Sequence, residues 1–303
     1  MKNKVVLVGC GNVGMAYAYA LVNQQTYVDE LVLIDIDEEK IIGEVMDLNH
    51  CLPYSPSKLK ISVGKYEDCK DARIVVIAAG SNQAPGETRM DLIHKNGRIF
   101  KSIIDPIMAS GFNGIFVVAT NPLDVMTYLT LKYSKLPTNQ VIGSGTTLDT
   151  ARLRYIISEK IKISSKDIEA FVIGEHGDSE FVPWSNVSIG LTNIKDFLTE
   201  EEMENIETEV RESAYEIIKR KGATYYGIGA ALAKITKAIL EDNNEILSVS
   251  SYDKNNNVCI STPAIVGATG VKNKIFIPLN EDETKKLIYS INIIKEAIKS
   301  IEL

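Results

Sequence analysis

Histidine is scarce in this sequence: its 303 residues hold only three, His50, His94 and His176. The four cysteines, Cys10, Cys51, Cys69 and Cys259, form no CxxC pair and no metal-like spacing. That argues against a zinc or disulfide framework and fits free thiols in a reducing cytoplasm. No metal site is expected. Nowhere do 18 apolar residues run together, so no membrane-spanning helix is expected either. A dense Lys/Arg block is also missing, and with a formal net charge of −7 the chain lacks the clustered positive surface that nucleic acid requires. The start, MKNKVVLVGCGNVG, has the basic end and apolar run of a signal peptide, but its Gly-rich continuation argues against one. Internal repeats and long low-complexity tracts are absent.

What is present is an ordinary soluble composition, 45% hydrophobic and 24% charged, in a chain long enough for two lobes. The runs VVLVG (5–9), LVLID (31–35), IVVIAAG (74–80), IFVVAT (115–120) and QVIGSG (140–145) predict parallel strands buried on both faces. Helix-like stretches separate them, among them VGMAYAYALVNQ, DEEKIIGEVMDLN and TRMDLIHKNGRIFKSIIDPIMAS. This alternation predicts a doubly wound parallel α/β sheet over residues 1–143. Beyond it the rhythm changes to longer helices at 147–161, 200–221 and 223–240, interrupted by strand-like FVIG. The strand-like pieces ILSVSSYD, NVCIS and KIFIP follow, joined by turns such as KNNN. Residues 144–303 therefore read as an α+β second domain. Its closing stretch, EDETKKLIYSINIIKEAIKS, has apolar residues at helical spacing and reads as packing rather than function.

GCGNVG sets Gly9, Gly11 and Gly14 in a GxGxxG pattern, with Asn12 and Val13 in its second half. Alone the pattern is weak. Here it follows a strand and opens a helix, and the next strand ends in Asp35, the context of a Rossmann dinucleotide site. The glycines allow a tight turn and close backbone approach, and the helix N-terminus offers N–H groups and positive dipole to a pyrophosphate. The Asp35 carboxylate can accept from both ribose hydroxyls and would repel a 2′-phosphate, so NAD is expected over NADP. A glycine turn and a strand-end acid without a ligand would require three independent features to coincide.

A nicotinamide enzyme that oxidises an alcohol must move a proton as well as a hydride, and histidine suits the proton step. His50 lies near a predicted helix end, where it complements the dipole, and His94 sits among charged residues on a helix face; both read as structural. His176 lies in GEHGD, between glycines and after a buried run, and is the acid/base candidate. Such a histidine commonly needs an acid to fix its tautomer. On a helix over GTTLDTARLR, Asp149 and Arg152 share a face, so one could hold His176 while the other meets a carboxylate substrate. Spacing alone fits an ordinary Asp–Arg surface pair slightly better.

The segments GCGNVG, IDID, SNQAPGETRMDL, ATNPLD, GSGTTLDTARLR, GEHGDSEFVPWS and KGATYYGIG occur in order over essentially the whole chain. Together they resemble the L-lactate dehydrogenases of the lactate/malate dehydrogenase family. The resemblance implies NAD-dependent hydride transfer between pyruvate and L-lactate, with His176 as acid/base and Asp149 as its orienting partner. Arg152 would hold the substrate carboxylate through two parallel contacts that lysine cannot reproduce. Arg89 would polarise the reacting carbonyl once its loop closes. Asn121 would contact the reacting centre beside the cofactor, Ser144 the nicotinamide amide, and Thr224, on the long helix, the substrate pocket. At Gln83 malate dehydrogenases of the family carry Arg for a second carboxylate, so neutral Gln83 implies a 2-keto monocarboxylate; as a solvated loop residue it would say nothing.

The family usually forms homotetramers, pairs of dimers, and the helix at 223–240 could supply a subunit surface or simply pack in the core. Many bacterial members respond to fructose 1,6-bisphosphate at a subunit interface through an Arg and a His. Arg154 matches the Arg, but Glu169 stands where the His is expected; it could pair with an Arg such as Arg154 across the interface, which implies weak or absent activation. Two other readings remain: a dehydrogenase for malate or a bulkier 2-hydroxy acid, or a non-catalytic dinucleotide sensor, which would not need His176, Arg152 and Arg89 together.

Overall fold

The computed structural model describes residues 2–81, 86 and 88–301, with Arg89 described by its backbone only. Its first half alternates strand and helix, with only a short 3-10 helix (Tyr66–Asp71) between the third and fourth strands: β1 (Lys4–Val8), α1 (Asn12–Asn23), β2 (Glu30–Ile34), α2 (Glu38–Cys51), β3 (Lys60–Val63), β4 (Ile74–Ile77), α3 (Arg89–Ala109), β5 (Ile115–Val118), α4 (Leu123–Ser134) and β6 (Val141–Gly143). The six strands pair in parallel in the order β3-β2-β1-β4-β5-β6. The order reverses between β1 and β4, where a doubly wound sheet opens a crevice at its carboxyl ends. Alternate residues of β1 explain its unbroken apolar run: Val5 and Leu7 enter one core cluster, Val6 and Val8 the other, on opposite faces of the sheet.

The second half begins with α5 (Thr147–Ile161) and a small antiparallel sheet of β7 (Ile168–Glu169), β8 (Ser188–Ile189) and β9 (Thr192–Asn193). Helices α6 (Glu200–Lys221) and α7 (Tyr226–Leu240) follow, then β10 (Glu245–Asp253), β11 (Val258–Gly267), β12 (Gly270–Lys274) and α8 (Glu281–Lys299). A separate apolar cluster around Leu153, Ile157, Met203 and Ile206 joins α5 to α6. The antiparallel strands β10–β12 extend the parallel sheet to nine strands, the join being at Gly143 and Ser250. A side-chain carbon at 143 would meet Thr127 and Ser250, so only glycine lets β10 come this close.

Several local expectations are corrected. KIFIP is not a strand: β12 lies one step earlier, in GVKNK, and Phe276 stands 87% exposed. FVIG is reduced to isolated bridges at Ile173 and Gly174. The third long helix starts at Tyr226, after the αL glycine Gly222 that stops α6. Its apolar face packs on α1 within the chain, with the Tyr17 and Thr236 hydroxyls 2.7 Å apart, so core packing accounts for that face. Among the described residues no helix is long and apolar enough to cross a membrane.

Candidate active site

The glycine loop leaves β1 at Gly9, whose φ is +96°. A side-chain carbon there would collide with the Ala79 backbone at the end of β4. Gly14 meets the Gly9 carbonyl, which seats α1 against the loop, while the space around Gly11 is open to 4 Å. Gly11 caps α1 without any side-chain cap, so the N–H groups at Asn12 and Val13 face that space uncompeted. Asp35, just past β2, accepts from the Cys10 backbone N–H at 2.6 Å and from the Asp37 N–H at 3.1 Å. It therefore ties down the glycine loop and keeps oxygen lone pairs for two further donors. Open space at Gly11, an uncapped helix start and this acid fit a dinucleotide.

At the ends of the next strands, Ser144 is buried and its N–H donates to Val118 O at 2.8 Å. Asn121 is exposed and its carbonyl accepts from Asn96 Nδ2 at 2.8 Å. Asn96, wholly buried in α3, also accepts from the Ser81 N–H at 2.8 Å, so one amide side chain joins two strand ends at the crevice.

His176 reaches the same crevice from the loop after the Ile173 bridge. Its Nδ1 lies 2.8 Å from Asp149 Oδ2, while Arg152 Nη1 donates to Asp149 Oδ1 at 2.7 Å. One carboxylate of α5 thus holds both cations, which leaves the far imidazole nitrogen and the rest of the guanidinium for a reactant. Burial works against the imidazolium, but Asp149, then Glu180 and Asp124, outweigh it and push the His176 pKa up to about 9. Burial likewise opposes the Asp149 charge, yet His176 and Arg152 hold its carboxyl below the usual range. Glu180, 6% exposed, approaches His176 Nδ1 to 3.8 Å; burial and the neighbouring Asp149 push its carboxyl well above the usual range. Asp149, His176 and Glu180 offer ligand atoms within 4.8 Å of one another, but Arg152 and the imidazole already neutralise Asp149.

Not every candidate joins this cluster. Thr224 lies in the short connector before α7 rather than on the helix. Gln83 falls outside the described residues, as does the side chain of Arg89, which opens α3 behind a Thr88–Asp91 capping box. Arg154 turns away from Arg152: its Nε donates to Ala170 O at 3.0 Å and its guanidinium lies 5.0 Å from the Phe171 ring. Glu169 is exposed nearby, close enough to favour that charge without a direct ion pair among the described residues. His50 sits in the last turn of α2 and His94 is exposed on α3.

Residues 3–143 match the family model for the lactate/malate dehydrogenase NAD-binding domain, and residues 146–302 match that for the family's α/β C-terminal domain. The chain belongs to the lactate/malate dehydrogenase family. Among its relatives in that family, an L-lactate dehydrogenase of Halalkalibacterium halodurans is 51% identical, over 97% of this chain and 96% of its own. L-lactate dehydrogenase 1 of Bacillus cereus is 48% identical over 99% and 98%. Of solved structures, a lactate dehydrogenase from a Medee basin deep-sea metagenome library superposes with a TM-score of 0.96 at 50% identity, covering 99% of both chains. The minor L-lactate dehydrogenase of Enterococcus mundtii in its ligands-bound form gives 0.97 at 40% identity, covering 100% of this chain and 99% of its own.

Within this family member, three residues at the site escaped the reading of the sequence. Glu180 was visible only as the acid four places after His176. Asp124, buried in α4, accepts from the His176 backbone N–H at 2.8 Å and from Ser250 Oγ at 2.6 Å. Burial lifts its carboxyl to about 6 against those two donors. The third is Ser290, on α8. The partners of Asp124 and Ser290 are far apart in the chain, and no local pattern announces them.

Proposed function

We propose that this chain is an NAD-dependent L-lactate dehydrogenase that interconverts pyruvate and L-lactate, with His176 as acid/base, Asp149 as its orienting partner and Arg152 as the substrate-carboxylate clamp. The observation that carries the reading is the single Asp149 carboxylate shared by His176 and Arg152 at the mouth of the dinucleotide crevice. NAD, when bound, supplies the hydride donor or acceptor. Gly9, Gly11 and Gly14, with the N–H groups at Asn12 and Val13, would cradle its pyrophosphate, Asp35 its ribose, and Ser144 and Asn121 its nicotinamide end. Asp149 accepts from Nδ1–H of His176, so Nε2 faces the substrate and gives its proton to the carbonyl oxygen as C2 receives hydride. In the reverse direction neutral Nε2 takes the hydroxyl proton. Arg89 is assigned the carbonyl oxygen, and Thr224 and Gln83 the wall opposite the carboxylate, on the resemblance alone.

The direct test follows NADH oxidation with pyruvate, with oxaloacetate, and with NADPH in place of NADH. Pyruvate with NADH should be preferred by at least about a hundredfold in kcat/KM, because neutral Gln83 leaves a second carboxylate unpaired and Asp35 repels a 2′-phosphate. No turnover with pyruvate would leave the sensor reading standing. Oxaloacetate as the better substrate would move the chain to the malate branch.

The resemblance further supports a cytoplasmic homotetramer; exposed Ile42 and Met46 on α2 with Tyr19 on α1 offer it an apolar surface. Regulation by fructose 1,6-bisphosphate should be weak or absent, since the exposed Glu169 carboxylate would repel a phosphate beside Arg154. Titrating the bisphosphate at sub-saturating pyruvate checks this. A large fall in apparent KM for the wild type would overturn it, and a Glu169→His variant should gain such a response.

A further inference from the structure

The closing helix α8 packs Ile291 and Ile294 onto Val258 and Ile260 of β11. In the middle of this apolar contact sits Ser290, fully buried. A buried hydroxyl is unfavourable there unless it is bonded, and alanine would serve packing and helix propensity better. Among the described residues, its hydrogen bonds outside the helix go to the two sides of the His176 loop. Its Oγ accepts from the Glu175 N–H at 2.6 Å, lies 3.0 Å from Ser179 Oγ, and donates toward Ser179 O at 3.3 Å. Ser179 Oγ in turn donates to Glu175 Oε2 at 2.6 Å. One residue earlier, Gly174 has φ +104°, and a side-chain carbon there would come 2.8 Å from Ser290 Oγ. The His176 N–H, next in line, is held by Asp124.

Resting on the reading of His176 given above, we propose that Ser290 is a positioning residue for proton transfer: from the C-terminal helix it fixes the backbone beside His176 so that the imidazole meets Asp149. The loop's two ends are closed by reciprocal Ile173–Phe181 hydrogen bonds, and consecutive N–H groups inside it are anchored on different elements, that of Glu175 on α8 and that of His176 on α4. Losing one anchor lets the imidazole drift from α5, and a misplacement of about 1 Å is enough to cost orders of magnitude in rate. The groups that face the imidazole are Asp149 and Arg152 from α5, Glu180 from its own loop and Asp124 from α4. Of these, Asp149 is the one at hydrogen-bond distance from the ring. Drift therefore weakens the contact that favours the charged ring.

The experiment compares Ser290→Ala with Ile294→Val, which weakens the same helix without touching the loop. Three histidines make the His176 ring resonance assignable by NMR in the substrate-free enzyme. Ser290→Ala should lower its titration midpoint by about one pH unit. It should also reduce kcat with pyruvate about tenfold at unchanged KM for NADH, and raise the primary isotope effect with deuterated NADH. Ile294→Val should move the melting temperature alone. Ser290→Cys, similar in size but a weak acceptor, should fall between wild type and Ser290→Ala, and serves if alanine prevents folding. A His176 titration unchanged in Ser290→Ala or Ser290→Cys would overturn the proposal. Because that titration needs no substrate, its failure is separable from a failure to turn over pyruvate.

Discussion

Replacing His176 by Asn should lower kcat for pyruvate reduction about a thousandfold while NADH still binds, the scale lost with a positioned general acid. Asn matches the reach of Nδ1 toward Asp149 but has no acidic proton to transfer. The pH dependence follows from the same geometry. Asp149 lifts the ring from its ordinary 6.5 to about 9 against burial, so the proton donor is populated throughout the neutral range. Reduction should therefore be full below that value and fall as pH rises through about 9, and this alkaline limb should vanish in His176→Asn. Folding is linked in the same sense: a raised pKa contributes stability that is complete below about 6.5 and is lost as pH climbs through about 9. Stopped-flow pH profiles and NADH fluorescence titration check both parts. A variant within tenfold of wild-type kcat would remove His176 from the proton step.

The second large effect is expected from Arg152→Lys, which keeps the charge. The guanidinium serves two carboxylates at once, donating from Nη1 to Asp149 at 2.7 Å while its remaining N–H groups are left for the substrate. A single ammonium cannot span both with paired contacts. Breaking a buried pair of this kind costs on the order of 4 kcal/mol, or roughly a thousandfold in kcat/KM for pyruvate. The loss should appear mainly in the KM for pyruvate, with NADH binding intact. A KM raised less than tenfold would mean that Arg152 is merely the helix partner of Asp149.

Elements whose burial follows a simple rule were legible in the sequence. β1, β4 and β5 bury both faces and read as unbroken apolar runs, and the bounds of α5 and α6 agree with those expected from periodicity. α4 lacks any such pattern because almost every residue in it is buried, so no polar face marks the helical period. β3 is a short edge strand with only Ile61 buried, and KIFIP has strand propensity but keeps to β11 only at its start, where Lys274 pairs with Ala264 and the Ile275 N–H donates to Pro263 O at 2.9 Å. At the site, the i, i+3 spacing of Asp149 and Arg152 was visible, but it could not say that both meet His176, which is 27 residues from Asp149. Asp124 and Ser250 are 126 residues apart and Glu175 and Ser290 are 115 apart; such pairs exist only once the sheet and α8 are in place.

The seam between β6 and β10 bears on how such a gene can be recombined. Two family models meet between residues 143 and 146, which invites treating the halves as exchangeable cassettes. Yet Gly143 and Gly145 there press against Ser250 and Val249, and the Thr146 and Thr147 oxygens are bonded to Ser248 and Val172. A first half grafted onto a foreign partner would present β6 as an unprotected edge, the kind of surface that seeds aggregation. Successful crossovers should instead keep residues 141–147 together with 245–251 from one parent, even though a hundred residues separate them in the message.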